Sequence, residues 1–176
     1  MRHLVGAVAL LALLSGVAGR GVAQGPAAFR AAGTAPDSQP EAVLVELQIG
    51  RLASRTVSAY RVGTEALVPV TALLQLGEAG YRLSLDGRLE ATVNPGALSL
   101  RIDVRDDTMR LGGRSVRIER PYRVFQDNEL YVGAAGLGAL FDTRLVVDWT
   151  ELSVTFMDAD KLPLGLRVRR ERAREA

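Results

Sequence analysis

The sequence predicts an α+β fold: a mainly antiparallel sheet with two short helices, arranged as two pseudo-repeated β-β-α-β-β units. Three observations carry that reading. Apolar and polar residues alternate over short stretches along the whole chain, the period of strands with one buried face. Only two stretches, Thr71-Ala72-Leu73-Leu74-Gln75-Leu76 and the small-residue run ending at Phe141, have helical spacing instead. The two halves also match each other in order. Val68, Ala72, Leu73 and Leu76 correspond to Val132, Gly136, Leu137 and Leu140 at an offset of 64. Tyr60-Arg61-Val62 recurs as Tyr122-Arg123-Val124, and Leu83-Ser84-Leu85-Asp86 corresponds to Leu145-Val146-Val147-Asp148, both at an offset of 62.

Taken in order, Val43, Val45, Leu47 and Ile49 alternate as a first strand, and Val57 to Val62 gives a second, bounded by Gly63. The short run Ala66 to Val70 is β-prone and leads into the first helix. Pro69 suits a helix start, and apolar positions 70, 73, 74 and 76 form one face. Gly77 is the expected stop. Tyr81 to Leu85 alternates, Asp86-Gly87 signals a hairpin, and Leu89, Ala91 and Val93 line the return strand. Asn94-Pro95-Gly96 breaks the pattern. Leu98, Leu100, Ile102 and Val104 then alternate with Ser99, Arg101, Asp103 and Arg105, and turns at Asp106-Asp107 and Gly112-Gly113 separate two more short strands.

The ends differ from this body. Met1, Arg2 and His3 precede an apolar run from Leu4 to Leu14 and small residues through Ala23, the layout of a secretory signal peptide over 1–23. As a helix, Leu4 to Ala18 would reach roughly 22 Å, short of the roughly 30 Å hydrocarbon core of a bilayer. Pro26, Pro36, Pro40, Gly25 and Gly33 make 24–41 a flexible linker. The folded domain is expected over 42–158, with units near 43–93 and 98–156, and a basic tail over 159–176. The expected location is the periplasm or the extracellular space.

Composition narrows the chemistry. There is no cysteine, and the one histidine, His3, lies in the leader. Disulfides, thiolate nucleophiles, thiolate metal sites and imidazole catalysis are therefore not available to the mature chain. Of 22 basic residues 21 are arginine, and acidic residues number 20. Five arginines sit between Arg167 and Arg174, so 24–166 holds 15 basic against 18 acidic residues. That faintly acidic body argues against nucleic acid as a partner.

The second half resembles a known family. Leu111-Gly112-Gly113-Arg114-Ser115-Val116-Arg117-Ile118, Pro121, Asn128-Glu129-Leu130-Tyr131-Val132, the helix to Phe141, and Asp148-Trp149-Thr150-Glu151-Leu152-Ser153-Val154-Thr155-Phe156 look like the copper amine oxidase N-terminal-like domain. That pattern joins a glycine hairpin, a proline, a polar turn, a tyrosine-valine-proline step into a helix, and a tryptophan-aspartate hairpin. The first unit shows the step as Leu67-Val68-Pro69, whereas Gly133 replaces the proline in the second. The resemblance implies a non-catalytic stalk or wall-associated module, with copper and quinone chemistry in a separate domain. The order of leader, domain and arginine-rich continuation also resembles the periplasmic front end of usher-like outer-membrane proteins.

Candidate sites follow. Asp103, Asp106, Asp107 and Glu119 offer carboxylates of the kind calcium binds, as do Asp158 and Asp160, but strand ends and turns account for aspartates at such places without a metal. Glycoside hydrolysis needs one protonated and one ionised acid, and Asp86 and Asp148, at equivalent repeat positions, are the one pair that symmetry recommends for it, although each sits at a hairpin corner where turn formation also explains an aspartate. A serine–lysine pair would have to use Lys161, beside which no motif places a serine. Trp149 could stack on a sugar or a partner chain, or cap the core; Tyr60 and Tyr122 invite the same two readings. Leu164, Leu166 and Val168 alternate before Arg169, Arg170 and Arg172, as in a docking strand with a basic arm. The expectation is thus no catalytic, cofactor or metal residues. Partner-binding residues are Trp149, Leu164, Leu166, Val168, Arg169, Arg170 and Arg172, directed at an envelope protein or wall polymer, with membrane-surface contact through the tail. The alternative is a small secreted hydrolase of wall polysaccharide.

Overall fold

A computed structural model describes residues 39–93, 98–159 and 170–175. The leader, the linker up to residue 38, and Leu164, Leu166, Val168 and Arg169 lie outside the described residues, as do Asp160 and Lys161.

Alternation becomes strands throughout. β1 (Glu41–Ile49), β2 (Ala53–Val62) and β3 (Glu65–Pro69) lead into α1 (Val70–Leu76); β4 (Gly80–Leu83) and β5 (Arg88–Val93) follow. β6 (Leu98–Asp103), β7 (Thr108–Leu111) and β8 (Arg114–Arg117) precede a 3₁₀ turn (Arg120–Tyr122). β9 (Arg123–Gln126), β10 (Glu129–Gly133), α2 (Ala134–Phe141), β11 (Leu145–Asp148) and β12 (Ser153–Phe156) complete the body.

The strands form two sheets. Seven stand in the order β11-β12-β1-β2-β3-β10-β9, and five in the order β4-β5-β6-β7-β8. All pairs are antiparallel except β1 with β12, which run parallel with Glu46 beside Ser153 and Ile49 beside Phe156. The two sequence stretches do not build separate sheets. Strands from both meet in the larger sheet, where β3 and β10 are neighbours with Val68 directly opposite Val132. The smaller sheet combines the β4-β5 hairpin with β6, β7 and β8.

One main core joins these parts, and Val62, Leu67 and Tyr131 form a small second cluster. Leu47, Ile49, Leu67, Leu73, Leu74, Leu89, Leu100, Leu130, Leu137, Leu140 and Phe156 are fully buried. α2 packs on β7 and β8 of the smaller sheet and on β3, β10 and β11 of the larger. Its Gly136 lies where a Cβ would come within 2.8 Å of the Ile118 side chain. At roughly 25 cal/mol per Å² of apolar surface removed from water, each buried leucine contributes about 2 kcal/mol.

Two turns depart from the simplest sequence expectation. α1 stops at Gly77 as expected, but the left-handed residue is the one after it. Gly77 has φ −87°, and Glu78 takes the left-handed conformation at φ +51°. The Ala79 N–H bonds the Leu74 carbonyl at 2.8 Å, closing the helix end. α2 ends the same way, with Asp142 at φ +56° and the Thr143 N–H bonded to the Gly138 carbonyl at 3.0 Å. The Asp86-Gly87 hairpin is a three-residue loop: Ser84 accepts from the Gly87 N–H, and Gly87 sits at φ +80°. A Cβ there would fall 2.6 Å from Val104 and 3.2 Å from Phe125, so only glycine fits.

Candidate functional site

The acids named by the sequence are held by arginines or turns. At one end of the smaller sheet, Asp103 accepts from the Arg105 guanidinium at 3.1 Å and backbone N–H at 2.9 Å, and pairs with Arg88 at 3.4 Å. Those contacts, Arg105's foremost, hold its carboxyl at about 2. Asp86 accepts from the Ser84 hydroxyl and from Arg105 at 2.9 Å, and the Ser84 bond chiefly lowers its titration. Asp107 pairs with Arg117 at 2.9 Å, and Asp106 accepts from the Thr108 N–H at 3.2 Å. Such exposed pairs, screened by water, add little to stability.

Asp148 has a different setting, at the β11–β12 turn, where one carboxylate oxygen accepts the Thr150 and Glu151 N–H groups at 2.8 and 3.0 Å. Asp86 and Asp148 share no partner, and they flank strands of different sheets. Asp158 accepts the Arg144 N–H at 3.4 Å. Among the described residues, no three histidine, cysteine, aspartate or glutamate side chains are placed to hold a metal ion.

Trp149 stands half-buried against the core at the same turn. Its indole N–H donates to the Thr64 carbonyl at 3.1 Å, and the Arg61 guanidinium lies 4.9 Å above its ring. The indole therefore links the β11–β12 turn to the β2–β3 turn. Tyr60 packs edge-on against Tyr131 with ring centroids 4.8 Å apart, and Tyr122 packs beside them. Arg170 and Arg172 are exposed on a helical turn spanning 170–175. No described helix is long and apolar enough to cross a membrane.

Two constellations were not singled out from sequence. The first is the pair Glu65 and Glu129. Glu65 accepts the Ala135 N–H, in the first turn of α2, at 2.9 Å. Glu129 accepts the Thr71 N–H, in the first turn of α1, at 3.3 Å, and also the Thr71 hydroxyl. Each carboxylate thus satisfies free donors at the start of the other half's helix. Burial raises the titration of Glu65, opposed by its backbone bonds. The signal was present, because the two glutamates are themselves matched positions and each lies six residues before the other's target, Thr71 or Ala135.

The second is the outward face of the five-stranded sheet. Register places Arg82 opposite Glu90, Glu90 opposite Arg101, Arg101 opposite Arg110, and Arg110 opposite Ser115, one row across all five strands. Arg88 and Arg117 flank that row, and Thr92, Ser99 and Thr108 stand between the charges. Glu90 reaches Arg101 at 4.0 Å, while Arg82 and Arg110 have no ion-pair partner among the described residues. Charge totals hide this face because, of the acids on its strands, only Glu90 and Asp103 stand among these arginines.

No protein-family model, curated protein or solved structure matches this chain.

Proposed function

We propose that the protein is an exported, non-catalytic binding or spacer module of the cell envelope, built as two related units and similar to the copper amine oxidase N-terminal-like stalk domain. The leader and linker supply export and distance from a membrane, and the folded body presents surfaces. The observation carrying this reading is the engagement of the candidate catalytic carboxylates. A hydrolytic acid must stay protonated at working pH, which requires a raised titration. Asp86 is shifted the other way by Ser84 and Arg105. Asp148 is occupied by turn N–H groups.

Support for two related units comes from positions separated by 64. Val68 and Val132 face each other across the β3–β10 pair, as a local two-fold axis requires. Glu65 and Glu129 cap one another's helices, and Glu78 and Asp142 take the same left-handed role. The likeness stops at the following hairpins, because β4-β5 joins the smaller sheet and β11-β12 the larger.

The test is turnover against retention. Purified protein is incubated with cell-wall polysaccharide, and both bound protein and released soluble sugar are measured, with and without residues 162–176. Retention without sugar release is expected. Sugar release abolished by Asp86→Asn or Asp148→Asn would overturn the reading in favour of the hydrolase.

A further inference from the structure

We infer that the outward face of the five-stranded sheet binds an extended acidic polysaccharide, its anionic groups taken by Arg82, Arg101 and Arg110. This rests on the reading of the protein as a binding module, and it assigns the work to a surface other than Trp149 and the tail.

Five arginines (Arg82, Arg88, Arg101, Arg110, Arg117) point outward from this sheet against two strand acids, Glu90 and Asp103. Arg101 stands directly opposite Arg110, an arrangement that costs stability in a sheet. Arg82 and Arg110 lack carboxylate partners among the described residues. A bound anion relieves both the repulsion and the missing partners, and the planar guanidinium suits a carboxylate in bidentate contact.

Shape favours a chain over a single ion. Three shallow depressions run together along this side. One is lined by Arg82, Glu90, Ser99 and Arg101, the next by Arg88, Arg101 and Arg110 with Glu90, Asp103 and Asp106, and a third by Arg105, Arg117, Arg120 and Arg123 with Asp106, Asp107 and Glu119. The first two share Glu90 and Arg101, and the second and third share Asp106. Across five strands the row extends roughly 19 Å, at about 4.8 Å per strand.

The side chains between the arginines choose the class. Thr92, Ser99, Thr108 and Ser115 supply hydroxyls suited to a polyol. Tyr81, at the β4 edge, is the one aromatic side chain lining these depressions, too little for the succession of stacking platforms that binds single-stranded nucleic acid. The row also lacks the apolar side chains that would enter a bilayer interface.

Full-length protein is titrated with polygalacturonate and alginate, with neutral dextran, duplex and single-stranded DNA, and phosphatidylglycerol vesicles as competing arms. Binding to the acidic polysaccharides, but not to dextran, is expected at 50 mM salt, and it weakens steeply by 200 mM. The double variant Arg101→Gln, Arg110→Gln should lose about tenfold or more in affinity. Glu90→Gln should gain a few-fold, and Arg144→Gln, an exposed arginine elsewhere, should bind as the parent does. The melting temperature of the double variant should hold or rise, which separates lost binding from lost folding. Failure to bind either acidic polysaccharide, undiminished binding by the double variant, or stronger binding to DNA or vesicles overturns the inference. If wall polysaccharide still retains the double variant, the face is wrong while the binding-module reading stands; if it retains no form of the protein, that reading falls as well.

Discussion

Replacing Glu129 with alanine removes more than one exposed charge. Its carboxylate accepts the Thr71 N–H and hydroxyl and the Leu130 N–H, and Thr71 is only 7% exposed. The variant leaves donors at the start of α1 without an acceptor and with little water to replace it. A hydrogen bond to a charged group contributes about 1.5–3 kcal/mol, and a lost helix cap costs about 1 kcal/mol. Since these overlap, the expected destabilisation is about 2–3 kcal/mol, or roughly 10 °C in melting temperature for a body of this size. Glu129→Gln keeps an acceptor oxygen and should lose about half as much. The mirror variant Glu65→Ala removes the bond from Ala135 and the lesser backbone contacts at Ala134 and Ala66 from a carboxylate already disfavoured by burial, and should cost about 1 kcal/mol. Urea unfolding followed by circular dichroism measures all three. A loss below about 0.5 kcal/mol for Glu129→Ala, or equal losses for the alanine and glutamine variants, would refute the assignment of this carboxylate as the cap of α1.

Other outcomes follow from the same coordinates. Gly87→Ala places a methyl group into Val104 and Phe125 at a positive φ, and should destabilise by about 2–3 kcal/mol in the same urea assay. Asp103, held at about 2 against an ordinary 3.8, contributes stability above the ordinary value that is lost as pH falls toward 2. The melting temperature should therefore drop between pH 5 and pH 2, and less steeply for Asp103→Asn. Glu65 has the opposite sign: its raised titration favours the fold below the ordinary value, and that contribution fades as pH rises through the shifted one. Trp149 is the only tryptophan, so fluorescence reports its corner alone. Arg61→Gln should shift its emission, and Trp149→Phe should cost about 1–2 kcal/mol through the lost bond to Thr64 and the lost cation–π contact.

Local structure was legible where period and turn chemistry agree. The alternation at Leu98 to Val104, the helix after Pro69 and the hairpin at Asp86-Gly87 all appear at those places. Partnership between strands was not legible. A period of two tells which face of a strand is buried but not which strand lies beside it, so the pairing of β1 with β12 and the sharing of strands between sheets had no local signal. For the same reason the acids were named one at a time, and the arginines that neutralise Asp86 and Asp103 emerged only with register. The arginine row is the clearer case. Its members are dispersed from Arg82 to Arg110, and only three successive hairpins align them.

The parallel pairing of β1 with β12 has a mechanical consequence. The chain enters β1 at Glu41 and leaves β12 at Phe156, beside Ile49, so the two attachment points lie at opposite ends of the strand pair, roughly 27 Å apart. Tension between them runs along the strands, and the bonds from Glu46 to Leu152 and from Gly50 to Phe156 resist sliding together instead of opening one after another. A sheet paired this way yields to a pull at those two points by shear, all rungs at once, which is the stronger of the two ways a sheet can be torn.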